Sequence, residues 1–236
     1  MEALPALLAQ LPRLFGPLDF AALGLFLAVS VLMTSLIEHP PKRRPSVSRL
    51  MEEHRRGWMV TFSTREMRIF DANLVSTLRS GTAFFASTCL IAIGGVAALL
   101  GQTERILGVV RDLGGEAGEA ATAVWEAKLL VLAVLLVNAF LKFVWSHRLF
   151  GYVAVLMGAM PLPGTAADIE RAASIQNAAA RNFNRGLRAV YFTLAALAWF
   201  LGPVPFMAAV ALTALMLARR EFFSVSRAAL MEGRAP

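Results

Sequence analysis

The chain has 236 residues, 57% hydrophobic and only 17% charged, with a formal net charge of +7 and a mean hydropathy of +0.61. A soluble domain carries about a quarter charged residues. Once about 100 residues are assigned to membrane spans, no connector is left long enough for a soluble catalytic core of its own. The single cysteine, Cys89, excludes an internal disulfide framework and a thiolate metal site and reads as a small buried hydrophobe.

Residues 3–16 form a short interfacial segment, because Pro5, Pro12 and Pro17 prevent one long helix. Glu2 and Arg13 are not the basic cluster of a secretory leader, so the first apolar run, 18–37, is expected to stay in the membrane. A bilayer core of about 30 Å needs roughly 20 apolar residues in helix, which this run supplies. Asp19 caps it, and Pro40-Pro41 stop it.

Residues 42–80 concentrate arginine, from Lys42, Arg43 and Arg44 through Arg79, which marks the cytoplasmic side. From Met67 the apolar positions Phe70, Leu74, Leu78 and Gly81 recur at helical spacing and lead into the second span, 81–100. Along that span Ser87, Gly94, Ala98 and Gly101 make a small-residue stripe suited to close helix packing. Residues 101–126 are acidic and glycine-containing, as expected of an outside loop. The third span, 127–148, is anchored at Trp125 and Trp145.

Residues 149–188 return as a second cytoplasmic connector. After the apolar patch Leu149–Met160, ended by Pro161 and Pro163-Gly164, residues 165–188 form an amphipathic helix with Ile169, Ala172, Ala173, Ala180, Phe183 and Leu187 on one face and Arg171, Arg181 and Arg185 on the other. The last apolar run is about 28 residues, about 42 Å as a straight helix, and exceeds one crossing. The hinge Gly202-Pro203-Val204-Pro205 breaks it into 189–202 and 204–218. A single crossing leaves the basic tail, 219–236, outside; a hairpin returns it to the cytoplasm, and the charge bias favours the hairpin. The expectation is an all-α polytopic membrane protein: four spans plus a proline-broken terminal segment, read as five crossings, with cytoplasmic amphipathic helices. It is multi-pass in the cell inner membrane, N-terminus outside and C-terminus cytoplasmic.

Four polar residues interrupt apolar faces. Asp71 falls among Met67, Leu74, Val75 and Leu78, where a carboxylate is costly unless paired. It is either functional or ion-paired, with Arg68 three residues earlier or with an arginine of a neighbouring connector. Gln176 interrupts the later amphipathic stripe and is expected to make an interhelical hydrogen bond. Asn138 and Lys142, four apart, share a face of the third span. They line a polar path there, or Lys142 snorkels while Asn138 bonds a neighbouring helix.

His39, His54 and His147 show no metal-ligand spacing, and no phosphate-cradling loop or nucleophile elbow occurs. No catalytic residue, metal or cofactor is therefore assigned. The juxtamembrane arginines point to anionic lipid headgroups rather than nucleic acid. The leading reading is a small transport or channel-like protein, or an accessory of one, acting as an oligomer. The alternative is a non-transporting scaffold or assembly subunit of a larger membrane complex, and a membrane-embedded enzyme is third.

Several blocks carry a resemblance: E-H-R-R-G-W-M at Glu53–Met59, R-x-x-R-I-x-D-A-N-L at Arg65–Leu74, F-F-A-S-T at Phe84–Thr88, F-N-R-G-L-R-A at Phe183–Ala189, and W-F-L-G-P-V-P at Trp199–Pro205. Together they resemble a membrane family of bacteria and plants catalogued as a domain of unknown function, number five-nine-nine. The resemblance runs roughly from Leu18 to Ser224 and implies a multi-span helical membrane protein. It implies no reaction, ligand or catalytic residue.

Overall fold

The computed structural model describes residues 15–112 and 119–232, and the described residues contain helices and no strand. The helices are α1 (Pro17–Glu38), α2 (Val47–Thr64), α3 (Ile69–Leu100), α4 (Thr103–Asp112), α5 (Glu119–Ala159), α6 (Ala166–Leu197), α7 (Pro203–Phe222) and α8 (Val225–Met231), with a 3-10 turn at Ala198–Leu201 between α6 and α7. Three are long and apolar enough to cross a membrane: α1, α3 and the Thr122–Ala159 part of α5. The interfacial segment expected over 3–16 lies outside the described residues apart from Phe15 and Gly16. The centre of the acidic loop, 113–118, and the end of the tail, 233–236, lie outside them too.

Local chemistry sets the helix ends. Pro17 occupies the first turn of α1, and Asp19 accepts from the Gly16 N–H at 3.3 Å. At the other end the Ser46 hydroxyl donates to the Ile37 carbonyl at 2.7 Å and accepts from the Arg49 N–H. One side chain thereby closes α1 and opens α2. Residues 65–68 break the basic connector into α2 and α3, without any proline or glycine. Residues 101–126 are not a plain loop: α4 and the first turns of α5 occupy most of them. α5 runs without interruption for 41 residues and α6 for 32, so apolar and basic amphipathic stretches share single helices.

α5 is the central helix, with α3 packed on one side and α6 on the other; α7 packs on α1 and α6, and α2 lies across α6. The main core is aromatic. Trp199 stacks between Phe15 and Phe206 with centroids 5.5 Å apart, and Phe26 meets Phe192 and Phe206. Gly186 allows α6 to touch α5, since a Cβ there would stand 2.7 Å from the Phe143 ring. Ala is therefore excluded at that crossing without movement of the pair.

The chain reverses between α6 and α7. Gly202 has φ of 124°, a conformation that side chains other than glycine's strain to adopt. The Trp199 carbonyl beside it accepts from Lys128 at 2.9 Å, and the Trp199 indole donates to Asp19 at 2.7 Å. The turn thus lies at the end of the bundle where α1 begins. α7 runs back to the opposite end, where Glu221 accepts from the Ser48 N–H and hydroxyl. That opposite end gathers the close of α1, all of α2, the start of α3 and the start of α6, and it is rich in arginine.

Candidate functional site

Asp71 is fully buried, in the first turn of α3. Trp58 Nε1 donates to Oδ1 at 2.6 Å, and Arg65 Nη1 reaches both carboxylate oxygens at 2.8 Å. Arg68 is not its partner. The i, i+3 pairing assumes a continuous helix, whereas the chain breaks at 65–68 and turns Arg65 back over Asp71. Arg68 instead donates to the Met160 and Pro161 carbonyls at 2.7 and 3.1 Å, capping the end of α5, and lies 4.5 Å from the Phe62 ring centroid. A cavity of about 250 Å³ lies alongside, walled by Val75, Ala154 and Met157 with Arg68 and Arg79 at its margin. Asp71 does not line it.

Two further expectations are corrected. Gln176 is buried, 1% exposed, yet both side-chain amide atoms lack a hydrogen-bond partner among the described residues. The neighbouring contacts between α2 and α6 are made by others: Arg55 donates to Asn177 at 2.6 Å and Arg181 to Glu52 at 3.1 Å, and burial pushes the Arg55 guanidinium below its usual value. The small-residue stripe of α3 does not pack against another helix among the described residues. Ser87, Gly94, Ala98 and Gly101 are exposed, and a Cβ at Gly94 would meet nothing within 4 Å. α3 instead turns Asp71, Val75, Thr82, Ala86, Cys89 and Val96 toward its neighbours.

Asn138 and Lys142 do come together with other polar groups. Both line a groove of about 570 Å³ between α1, α5 and α6, whose far wall carries Glu38, Arg185 and Arg188. Arg185 Nε donates to Glu38 Oε1 at 2.8 Å and its Nη2 donates to Oε2; Arg188 Nη2 also donates to Oε1. The Glu38 side chain is 8% exposed and that of Arg188 6%. Arg188 Nε has no partner among the described residues. Lys142 stands near Glu38, Arg185 and Arg188 and makes no hydrogen bond or ion pair among the described residues. Glu221 acts on Arg188 from a distance, but its oxygens are taken by Ser48. Cations therefore outnumber carboxylates, and the Lys142 ammonium keeps unused donors where it lines the groove.

The groove adjoins a second opening of about 730 Å³, with Glu38, His39 and Arg185 lining both. One wall of the groove is apolar, with Phe26, Leu27, Val31, Leu135 and Phe192. Among the described residues no three His, Cys, Asp or Glu side chains gather as a metal site.

A family model described as "Protein of unknown function, DUF599" matches residues 21–226. The chain belongs to the DUF599 family. No curated protein and no solved structure matches it. Every groove residue of this DUF599 protein lies inside the matched stretch, as does the Asp71 cluster. Sequence reasoning missed Glu38, Arg185 and Arg188. The available signal was Arg185 and Arg188 at i, i+3 where a helix turns apolar, with Gly186 between them, and an acid at the last turn of α1.

Proposed function

We propose that this DUF599 protein is a transport-type membrane protein that accepts an anionic compound in the groove between α1, α5 and α6. The groove's surplus of cations, where the spans meet the arginine-rich end, carries the proposal, because ionisable groups along spans mark substrate paths. In this reading α1, α3, α5, α6 and α7 make five crossings. The arginine-rich end, with α2 and the first turns of α6 as cytoplasmic amphipathic segments, faces the cytoplasm of the inner membrane. The second opening beyond Glu38 and His39 is then the aqueous mouth.

Proteoliposomes holding the purified protein test this. Flux or current on addition of organic anions, above protein-free vesicles and lost in Lys142→Gln, supports the reading; equal flux in both rejects it. A reporter active only outside the cytoplasm, fused after α8, must stay silent. The second reading, a scaffold within a larger membrane complex, draws on the exposed small-residue face of α3. Isolation from native membranes separates the two: a stoichiometric heteromeric partner favours the scaffold, and a homo-oligomer favours transport.

A further inference from the structure

We infer that the ligand of the groove is an anionic amphiphile, an acyl chain bearing one carboxylate or phosphate head, which reaches the site sideways from the bilayer. The inference rests on the reading of the groove as an anion site and adds the class of anion.

The head is specified by what lacks a partner. Arg188 is 5% exposed, yet its Nε donates to nothing among the described residues. Arg188 lines the groove beside Lys142, an ammonium that makes no hydrogen bond or ion pair among the described residues. Anionic oxygens are the acceptors that satisfy such donors best, through short charge-assisted hydrogen bonds. Glu38 already occupies the remaining face of both arginines, so the ligand head is placed on the Lys142 side, within reach of Asn138.

The tail is specified by the wall. Leu27 and Val31 are 58% and 68% exposed on a helix apolar enough to span a membrane, so they meet acyl chains while also lining the groove. Phe26, Leu135 and Phe192 continue the apolar surface inward. A small hydrophilic anion leaves that wall unused. The cavity, about 570 Å³, falls within the range of roughly 300–1,000 Å³ usual for small-ligand sites.

Native mass spectrometry of delipidated full-length protein in neutral detergent tests the assignment. The probes are oleate, phosphatidylglycerol, phosphatidylcholine with the same chains, and inorganic phosphate alone. One oleate or phosphatidylglycerol is expected to be retained per protomer at concentrations where phosphatidylcholine is not. Lys142→Gln is expected to weaken retention about tenfold, a change of about 1.4 kcal/mol, without lowering the lipid-free melting temperature, and Lys142→Arg to restore it. Equal retention of phosphatidylcholine, or unchanged retention in Lys142→Gln, overturns the head assignment. Inorganic phosphate raising the melting temperature as much as phosphatidylglycerol makes the ligand a free anion and overturns the amphiphile. Retention without flux in proteoliposomes rejects transport and leaves this site standing; flux of a water-soluble anion without retention does the reverse.

Discussion

Two carboxylates at the arginine-rich end of this protein meet opposite fates. Asp71 is closed: no exposure, one arginine, one indole N–H, and both oxygens bonded. Glu38 is almost as buried, yet Arg185, Arg188 and Lys142 surround it, and a guanidinium donor and an ammonium are left over. Both carboxylates offset desolvation by pairing. Only the second leaves positive charge facing a cavity, so only the second retains capacity to bind. The balance of charge in a buried ion pair, rather than its presence, decides whether it can bind.

Removing the carboxylate breaks the closed cluster most severely. Asp71→Ala leaves Trp58 Nε1 and Arg65 facing a buried void, and breaking such a pair costs about 3–5 kcal/mol. Thermal unfolding in detergent is expected to show it, with Asp71→Asn losing less because the amide oxygen still accepts from Trp58. Glu38→Gln comes next, at about 1.5–3 kcal/mol, the size of lost hydrogen bonds to charged groups. Here the comparison sharpens: phosphatidylglycerol is expected to restore most of the melting temperature of Glu38→Gln and none of that of Asp71→Asn. Rescue of both, or of neither, would erase the distinction between open and closed.

Gly186→Ala acts on the open cluster through spacing alone. Gly186 lies beside Arg185 and touches Phe143, the neighbour of Lys142, so its missing Cβ sets the gap between the helices that carry those cations. Overpacking of this kind costs about 1–3 kcal/mol. Retention of the anionic probe is expected to fall in this variant while the Asp71 cluster is untouched. An unchanged melting temperature would mean that the two helices part without cost.

The difference between the clusters also explains what the residues alone disclosed. Apolar runs announce spans because bilayer thickness sets a length. Their boundaries blur because α5 and α6 continue past the apolar stretch as the same helix. Asp71 stood out because it interrupts an apolar stripe. Its partner did not, because the i, i+3 rule presumes an unbroken helix and the break at 65–68 has no proline or glycine to signal it. Asn138 and Lys142 were legible as a pair on one face. Glu38 was not, since the arginines that bind it lie 147 and 150 residues away, and local periodicity holds no record of such pairings. Small residues on α3 announced where a close approach is possible, whereas α5 and α6 make theirs at Gly186.

The smallest effect tests whether these differences belong to the clusters or to any charged contact at this end. Thr165 caps α6 without bonding to either cluster: its N–H and hydroxyl donate to Asp168, while the Asp168 N–H donates back to the hydroxyl at 3.2 Å. Thr165→Ala is expected to cost about 1 kcal/mol, as for a lost N-cap, with no effect on anion retention. The Thr165 hydroxyl is the main influence holding the Asp168 carboxyl below its usual value, against desolvation and with help from the Thr165 N–H and Arg171. A carboxyl depressed on folding adds stability above its unfolded value of about 3.9, and that stability fades as pH falls through the lower folded value. The gap between wild type and Thr165→Ala is therefore expected to be full near neutrality and to narrow in acid, followed by melting temperature across a pH series. A gap that widens in acid would put the cap's contribution in something other than this carboxylate, and a loss of anion retention would make the two clusters less separable than their geometry implies.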